Sequence, residues 1–132
     1  MKPARRDPLA PLKKRTHADL VREVVKAVNL LPGVFVFPVD VSVGAAKRSH
    51  GMRGVSDVIG WAEWCLTCEK AATPLYASVA GHRTMPRFVA FEIKIGRDKL
   101  RPAQQIFLQH VRDAGGIGLE IREVMEAVNA LR

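Results

Sequence analysis

The segment Phe88-Val-Ala-Phe-Glu92-Ile-Lys94-Ile95 constrains this chain more than any other, because it reads as an apolar strand carrying two charges. Side chains alternate faces along a strand, so Glu92 and Lys94 emerge on one side while Val89, Phe91, Ile93 and Ile95 turn to the other. Neighbouring same-face charges are costly to bury unless they are paired, solvated or bound to a metal. Asp57 sits in a second apolar run, Gly54-Val-Ser-Asp57-Val-Ile-Gly60-Trp61. Two carboxylates on adjacent strands with a lysine are the parts that position Mg2+ against a phosphodiester. A plainer reading is a Glu92–Lys94 ion-pair ladder on a solvent face, with Asp57 capping a turn or bulge.

The punctuation around that strand sets an element order. Thr16 is a plausible N-cap for a helix running to about Leu30, with Leu20, Val24, Ala27, Val28 and Leu31 as its buried stripe. Leu31-Pro32-Gly33 turns the chain into a strand from Val34 to Val43, and Pro38 places that strand at an edge or bulge. A basic loop follows, with Lys47, Arg48, His50 and Arg53 placed where a phosphate backbone approaching Asp57 would pass. Strands are expected over 55–64 and 87–95, joined by an irregular excursion over 69–87 that reads as a hairpin extension. Pro102 opens a helix whose core face is Phe107, Leu108 and Val111. Gly115-Gly116 stops it before a short strand over 117–121 and a closing helix over 122–131. The order α-β-β-β-α-β-α predicts an α/β domain over 16–132 behind a basic, proline-containing arm over 1–15.

At 132 residues the chain is expected to form one domain. Its net charge of +8 favours a polyanionic partner, nucleic acid before anionic membrane. The arm is suited to lie along phosphates or to serve as a solubilising tail. No run of about 18 apolar residues offers a membrane span, and the basic N-terminus lacks an apolar signal region. A cytoplasmic protein is expected. Cys65 and Cys68 form a single Cys-x-x-Cys. A zinc site would need two further ligands, for which His50 and His82 are available at spacings that match no zinc module. A redox role would need a strand-to-helix setting that is absent. The pair therefore reads as ordinary reduced cysteines. Trp61 and Trp64 are candidates for stacking on bases, but are expected to pack under the 69–87 excursion.

Taken together, Gly54-Val-Ser-Asp57, Phe91-Glu92-Ile-Lys94, Pro102-Ala-Gln104-Gln-Ile-Phe107 and Ala114-Gly115-Gly116 resemble the VRR-NUC nucleases of the PD-(D/E)XK superfamily. The resemblance covers residues 16 to 128. It implies a restriction-endonuclease-like core, a central mixed β-sheet of about four strands flanked by α-helices. It also implies that Asp57, Glu92 and the Ile93 backbone carbonyl hold Mg2+ or Mn2+, that Lys94 is the catalytic lysine, and that Gln104 supports the centre. No small-molecule cofactor is implied. Ser56 stands where many members have proline, and the acid often found at the start of the first helix aligns with His17. Asp19 and Glu23, within two turns of it, are the acids near enough to take that place. Small members of the family act as homodimers on branched DNA. The implied activity is metal-dependent, structure-selective cleavage of DNA, with a non-catalytic DNA-binding module on the same fold as the alternative.

Overall fold

Thr16 starts the fold as its composition suggests. In the computed structural model, which describes residues 13–39 and 54–132, its side chain accepts the Asp19 N–H at 3.1 Å while the Asp19 carboxylate accepts the Thr16 N–H at 2.9 Å. This reciprocal box satisfies donors that every helix N-terminus leaves open. Helix α1 (His17–Val28) then buries Leu20, Val24 and Val28, one turn apart on one face.

Five strands follow: β1 (Val34–Pro38), β2 (Val58–Cys65), β3 (Lys70–Ala71), β4 (Thr84–Ile93) and β5 (Ile117–Ile121). They form one mixed sheet in the order β1-β2-β4-β5, with the two-residue β3 pairing with β2. β1 is the edge strand, as Pro38 requires. β2 runs antiparallel to both β1 and β4. β4 and β5 are parallel, joined through helix α3 (Pro102–Asp113) as a crossover demands. Gly33, at φ +75°, makes the turn into β1 where an added Cβ would lie 2.6 Å from the Ala72 carbonyl oxygen.

Helices cover both faces of β4. On one side α1 and the closing helix α4 (Val124–Leu131) bury Val58, Ala62, Val89, Phe91, Ile93 and Ile121. On the other, Leu108 and Val111 of α3 pack on Ala90, with Ile59, Leu100 and Phe107 at their margin. Every residue from Val89 to Ile93 is consequently buried, Glu92 included. The solvent-face ladder is thereby excluded: Glu92 is 2% exposed and Lys94 9%.

Three expectations change. The 69–87 excursion is not a plain hairpin; it holds β3 and a short helix α2 (Pro74–Val79), capped by Thr73 with Pro74 at its first position. Trp61 does not pack beneath it. Trp61 is 47% exposed and stacks on Phe35 at 4.8 Å, forming with Phe37 and Phe88 an aromatic stripe on the α3 face. Trp64 packs against the core, with the Arg87 guanidinium 4.9 Å from its ring centre. Arg15 belongs to the fold rather than to a free arm, since it pairs with Glu23 and Glu123. Residues 1–12 of the arm, the end of the first strand expected over 40–43, and Lys47, Arg48, His50 and Arg53 lie outside the described residues. Among those described, no helix is long and apolar enough to cross a membrane.

Candidate metal centre

The acids meet where β2 begins and β4 ends. Asp57 precedes β2 rather than lying within it, because its side chain replaces a strand pair: Oδ2 accepts the Ile93 N–H at 2.8 Å. Its own carbonyl accepts the Val39 N–H at 2.8 Å. Gly54 permits this approach. At φ +82° a Cβ there would stand 2.6 Å from the Ala103 carbonyl oxygen, so only glycine lets this segment rest against the start of α3. Rather than capping a turn or bulge, Asp57 ties the start of β2 to the end of β4, and its carboxyl lies within hydrogen-bonding reach of the Glu92 carboxyl.

Glu92 projects from the same face, toward α3. Its Oε1 accepts Gln104 Nε2–H at 2.6 Å and lies 3.3 Å from Lys94 Nζ. Gln104 is fixed in turn, its Oε1 accepting the Arg101 N–H at 2.8 Å in the first turn of α3. The same glutamine caps a helix and orients a carboxylate. Glu92 Oε2 is buried, and among the described residues no donor reaches it. Leaving such an oxygen without a donor costs about 1–3 kcal/mol, which a proton on the Glu92 carboxyl, facing Asp57, or a bound cation would relieve.

His17, the first residue of α1, closes the cluster. Its Nε2 is 3.2 Å from Asp57 Oδ2 and 3.1 Å from the Ile93 carbonyl oxygen. Both neighbours are acceptors, so Nε2 carries its proton here and shares it between them. These are the oxygens that the sequence reading gave to the metal. The other first-helix candidates lie elsewhere: Asp19 is engaged in the cap and pairs with Arg22, and Glu23 pairs with Arg15 at 3.2 Å. The N-terminal turns of α1 and α3 both open onto the cluster, where their positive ends favour carboxylates and phosphates.

Burial pushes the Glu92 carboxyl up to about 7, the Asp57 charge pushes the same way, and Lys94 opposes both. The donor set of Asp57, Glu92 Oε2 and the Ile93 carbonyl is all hard oxygen, which fits Mg2+ or Mn2+. Such an ion would relieve the orphaned oxygen and the repulsion between the acids together.

A pH dependence follows. With its folded pKa raised from 4.5 to about 7, Glu92 binds its proton more tightly in the folded protein than in the unfolded chain. Its contribution to stability is full below about pH 4.5 and is lost as pH rises to about 7, on the order of 3 kcal/mol in all. Urea unfolding in chelator across this range should show wild type losing stability relative to Glu92→Gln as pH rises. Mn2+ should restore it above about pH 7, where the carboxylate is ionised. Parallel pH profiles for the two proteins would contradict this electrostatic picture.

Beside Lys94 an open groove of about 620 Å³ is lined by Lys14, Arg15, Arg122, Asp98 and Glu123, among others. Most of its cations are paired, Arg15 with Glu23 and Glu123, Arg122 with Glu120 and Lys94 with Glu92. Compared with protein-family profiles, with curated proteins and with solved structures, the chain matches none.

Proposed function

We propose that this chain is a metal-dependent nuclease that hydrolyses phosphodiester bonds of DNA, with branched DNA such as junctions or flaps as its preferred substrate. One observation carries the reading: a buried carboxylate whose Oε1 is held by Lys94 and Gln104 while no donor among the described residues reaches Oε2, beside a second carboxylate. The VRR-NUC resemblance supports it through its motifs, and the net charge of +8 supports a polyanionic substrate.

Asp57, Glu92 and the Ile93 carbonyl would hold Mg2+ or Mn2+. That ion, when bound, neutralises charge on the phosphoryl oxygens and eases deprotonation of water. The chain's own residues do the rest. Gln104 keeps Glu92 turned so that Oε2 faces the ion's place. Lys94, held beside Glu92, places a compact positive charge where the attacking oxygen and the phosphoryl group acquire negative charge. His17 donates to Asp57 Oδ2 and the Ile93 carbonyl and so holds the two in register. Water forms the new P–O bond, the bridging P–O bond breaks, and the leaving oxygen takes up a proton. Lys14, with Lys47, Arg48 and Arg53 of the sequence before Asp57, would track the phosphate backbone. The protein would act as a homodimer that sets two such centres on one branched substrate.

The test is a panel of duplex, single-stranded, flap, splayed-arm and four-way-junction DNA incubated with Mg2+ or Mn2+. Cleavage is expected to require the ion and to favour branched members. Binding without cleavage of any member, with affinity falling as salt rises, would instead establish the non-catalytic DNA-binding module.

A further inference from the structure

The opposite end of β2 carries a second cluster of different chemistry. Cys65 ends β2, eight residues beyond Asp57, roughly 25 Å away at ordinary strand rise. The chain then makes a tight turn. The Glu69 N–H donates to the Cys65 carbonyl at 2.9 Å, and Glu69 itself takes the left-handed conformation at φ +54°. This turn brings the Cys68 N–H to 3.4 Å from Cys65 Sγ. His82, just beyond α2, is delivered to the same point by its N–H bond to the Ala77 carbonyl, and the adjacent Arg83 carbonyl accepts the Leu66 N–H at 3.0 Å. The two turns are thus laced together.

His82 Nδ1 lies 3.6 Å from Cys65 Sγ and 3.3 Å from Cys68 Sγ, and the three ligand atoms fall within 4.8 Å of one another. Nδ1 has either one lone pair or one N–H, so a single proton serves one sulfur well, not two. A shared cation serves both. Sulfur at about 2.3 Å and nitrogen at about 2.0–2.1 Å from a tetrahedral zinc ion stand about 3.6 Å apart, close to both spacings here. Both cysteines are free rather than disulfide-bonded.

The surrounding segment also lacks a core of its own. α2 has six residues and buries only Ala77, while Leu75, Tyr76 and Val79 are exposed. A helix this short is not stable by propensity, and a cross-link at its base supplies what packing does not.

We propose that Cys65, Cys68 and His82 bind Zn2+ as a structural pin that fastens the β2–β3 turn to the α2–β4 turn. Two thiolates and an imidazole select a soft or borderline ion over Mg2+, so this cluster and the acid pair would hold different metals at opposite ends of β2. Binding releases the thiol protons to solvent and involves no change of oxidation state. The assignment is independent of the nuclease reading.

Full-length protein purified without chelator from zinc-supplemented medium should carry an equivalent of zinc by elemental analysis. Chelator-stripped wild type titrated with Co2+ should develop a near-ultraviolet thiolate-to-cobalt band and the strong visible bands of tetrahedral cobalt. Zn2+ should abolish these bands, and excess Mg2+ should not. Cys68→Ser and His82→Ala should each weaken zinc binding more than about 100-fold, beyond what loss of an outer-shell partner costs. Absence of the thiolate band in wild type would overturn the assignment whatever the variants do. So would zinc affinity within a few-fold of wild type in both variants.

Discussion

Asp57→Asn is expected to remove all detectable cleavage while leaving the protein folded. The asparagine Oδ1 can still accept the Ile93 N–H that Asp57 Oδ2 now accepts at 2.8 Å, so the join between β2 and β4 survives. The lost negative charge is what the metal needs. If Mg2+ or Mn2+ raises the melting temperature of wild type by binding the folded state, as proposed, Asp57→Asn should lose most of that rise. Because the Asp57 charge helps to raise the Glu92 carboxyl, the variant without metal should lose less stability than wild type between about pH 4.5 and 7. Differential scanning fluorimetry with and without Mn2+, beside a cleavage assay, reads all three effects. An Asp57→Asn protein that cuts DNA at the wild-type rate would contradict the assignment.

Lys94→Ala separates catalysis from charge pairing. Were Lys94 only the partner of Glu92, its loss would appear in stability: the two groups are buried and 3.3 Å apart, and Glu92 would respond by holding its proton to still higher pH. If Lys94 stabilises charge on the attacked phosphoryl group, the single-turnover rate at saturating metal and DNA should fall by about 100-fold or more. DNA affinity should change far less, since Asp57 and Glu92 remain. Lys94→Arg should rescue poorly, because a planar guanidinium does not fit the place of a compact ammonium in so closed a site. Cleavage by Lys94→Ala within a few-fold of wild type would overturn this role.

The parts of the fold that local chemistry determines were legible in the residues. Thr16 encodes a helix start, Pro102 another, and the apolar run around Glu92 a strand, which spans Thr84–Ile93 rather than 87–95 and is buried only from Val89 onward. The acid pair was legible because buried charge in a strand is expensive and demands a reason. Helix α2 was not, since six residues span too few turns to show an apolar period. Gln104 gained its place at the centre only from the resemblance, because its bond to Glu92 comes from tertiary placement. The first helix offered two acids near His17, but Asp19 is taken by its own cap and Glu23 by Arg15. His17 itself reaches Asp57, a contact 40 residues apart in sequence. Cys65 and Cys68 read as ordinary thiols because the spacing to His82 matches no zinc module, and His82 reaches them only after β3 and α2 have folded back.

The central claim is tested most directly by comparing wild type and Glu92→Gln on the preferred member of the DNA panel, under single turnover, in Mn2+ and in chelator. Glutamine matches the volume of Glu92 and can still accept from Gln104 and Lys94, so the variant should stay folded without metal at about pH 8, which its melting temperature beside wild type checks. Loss of activity then cannot be blamed on unfolding. The account predicts cleavage by wild type in Mn2+, none in chelator, and none by Glu92→Gln in either. Cleavage that persists in chelator, or that proceeds in Glu92→Gln at the wild-type rate, would contradict it.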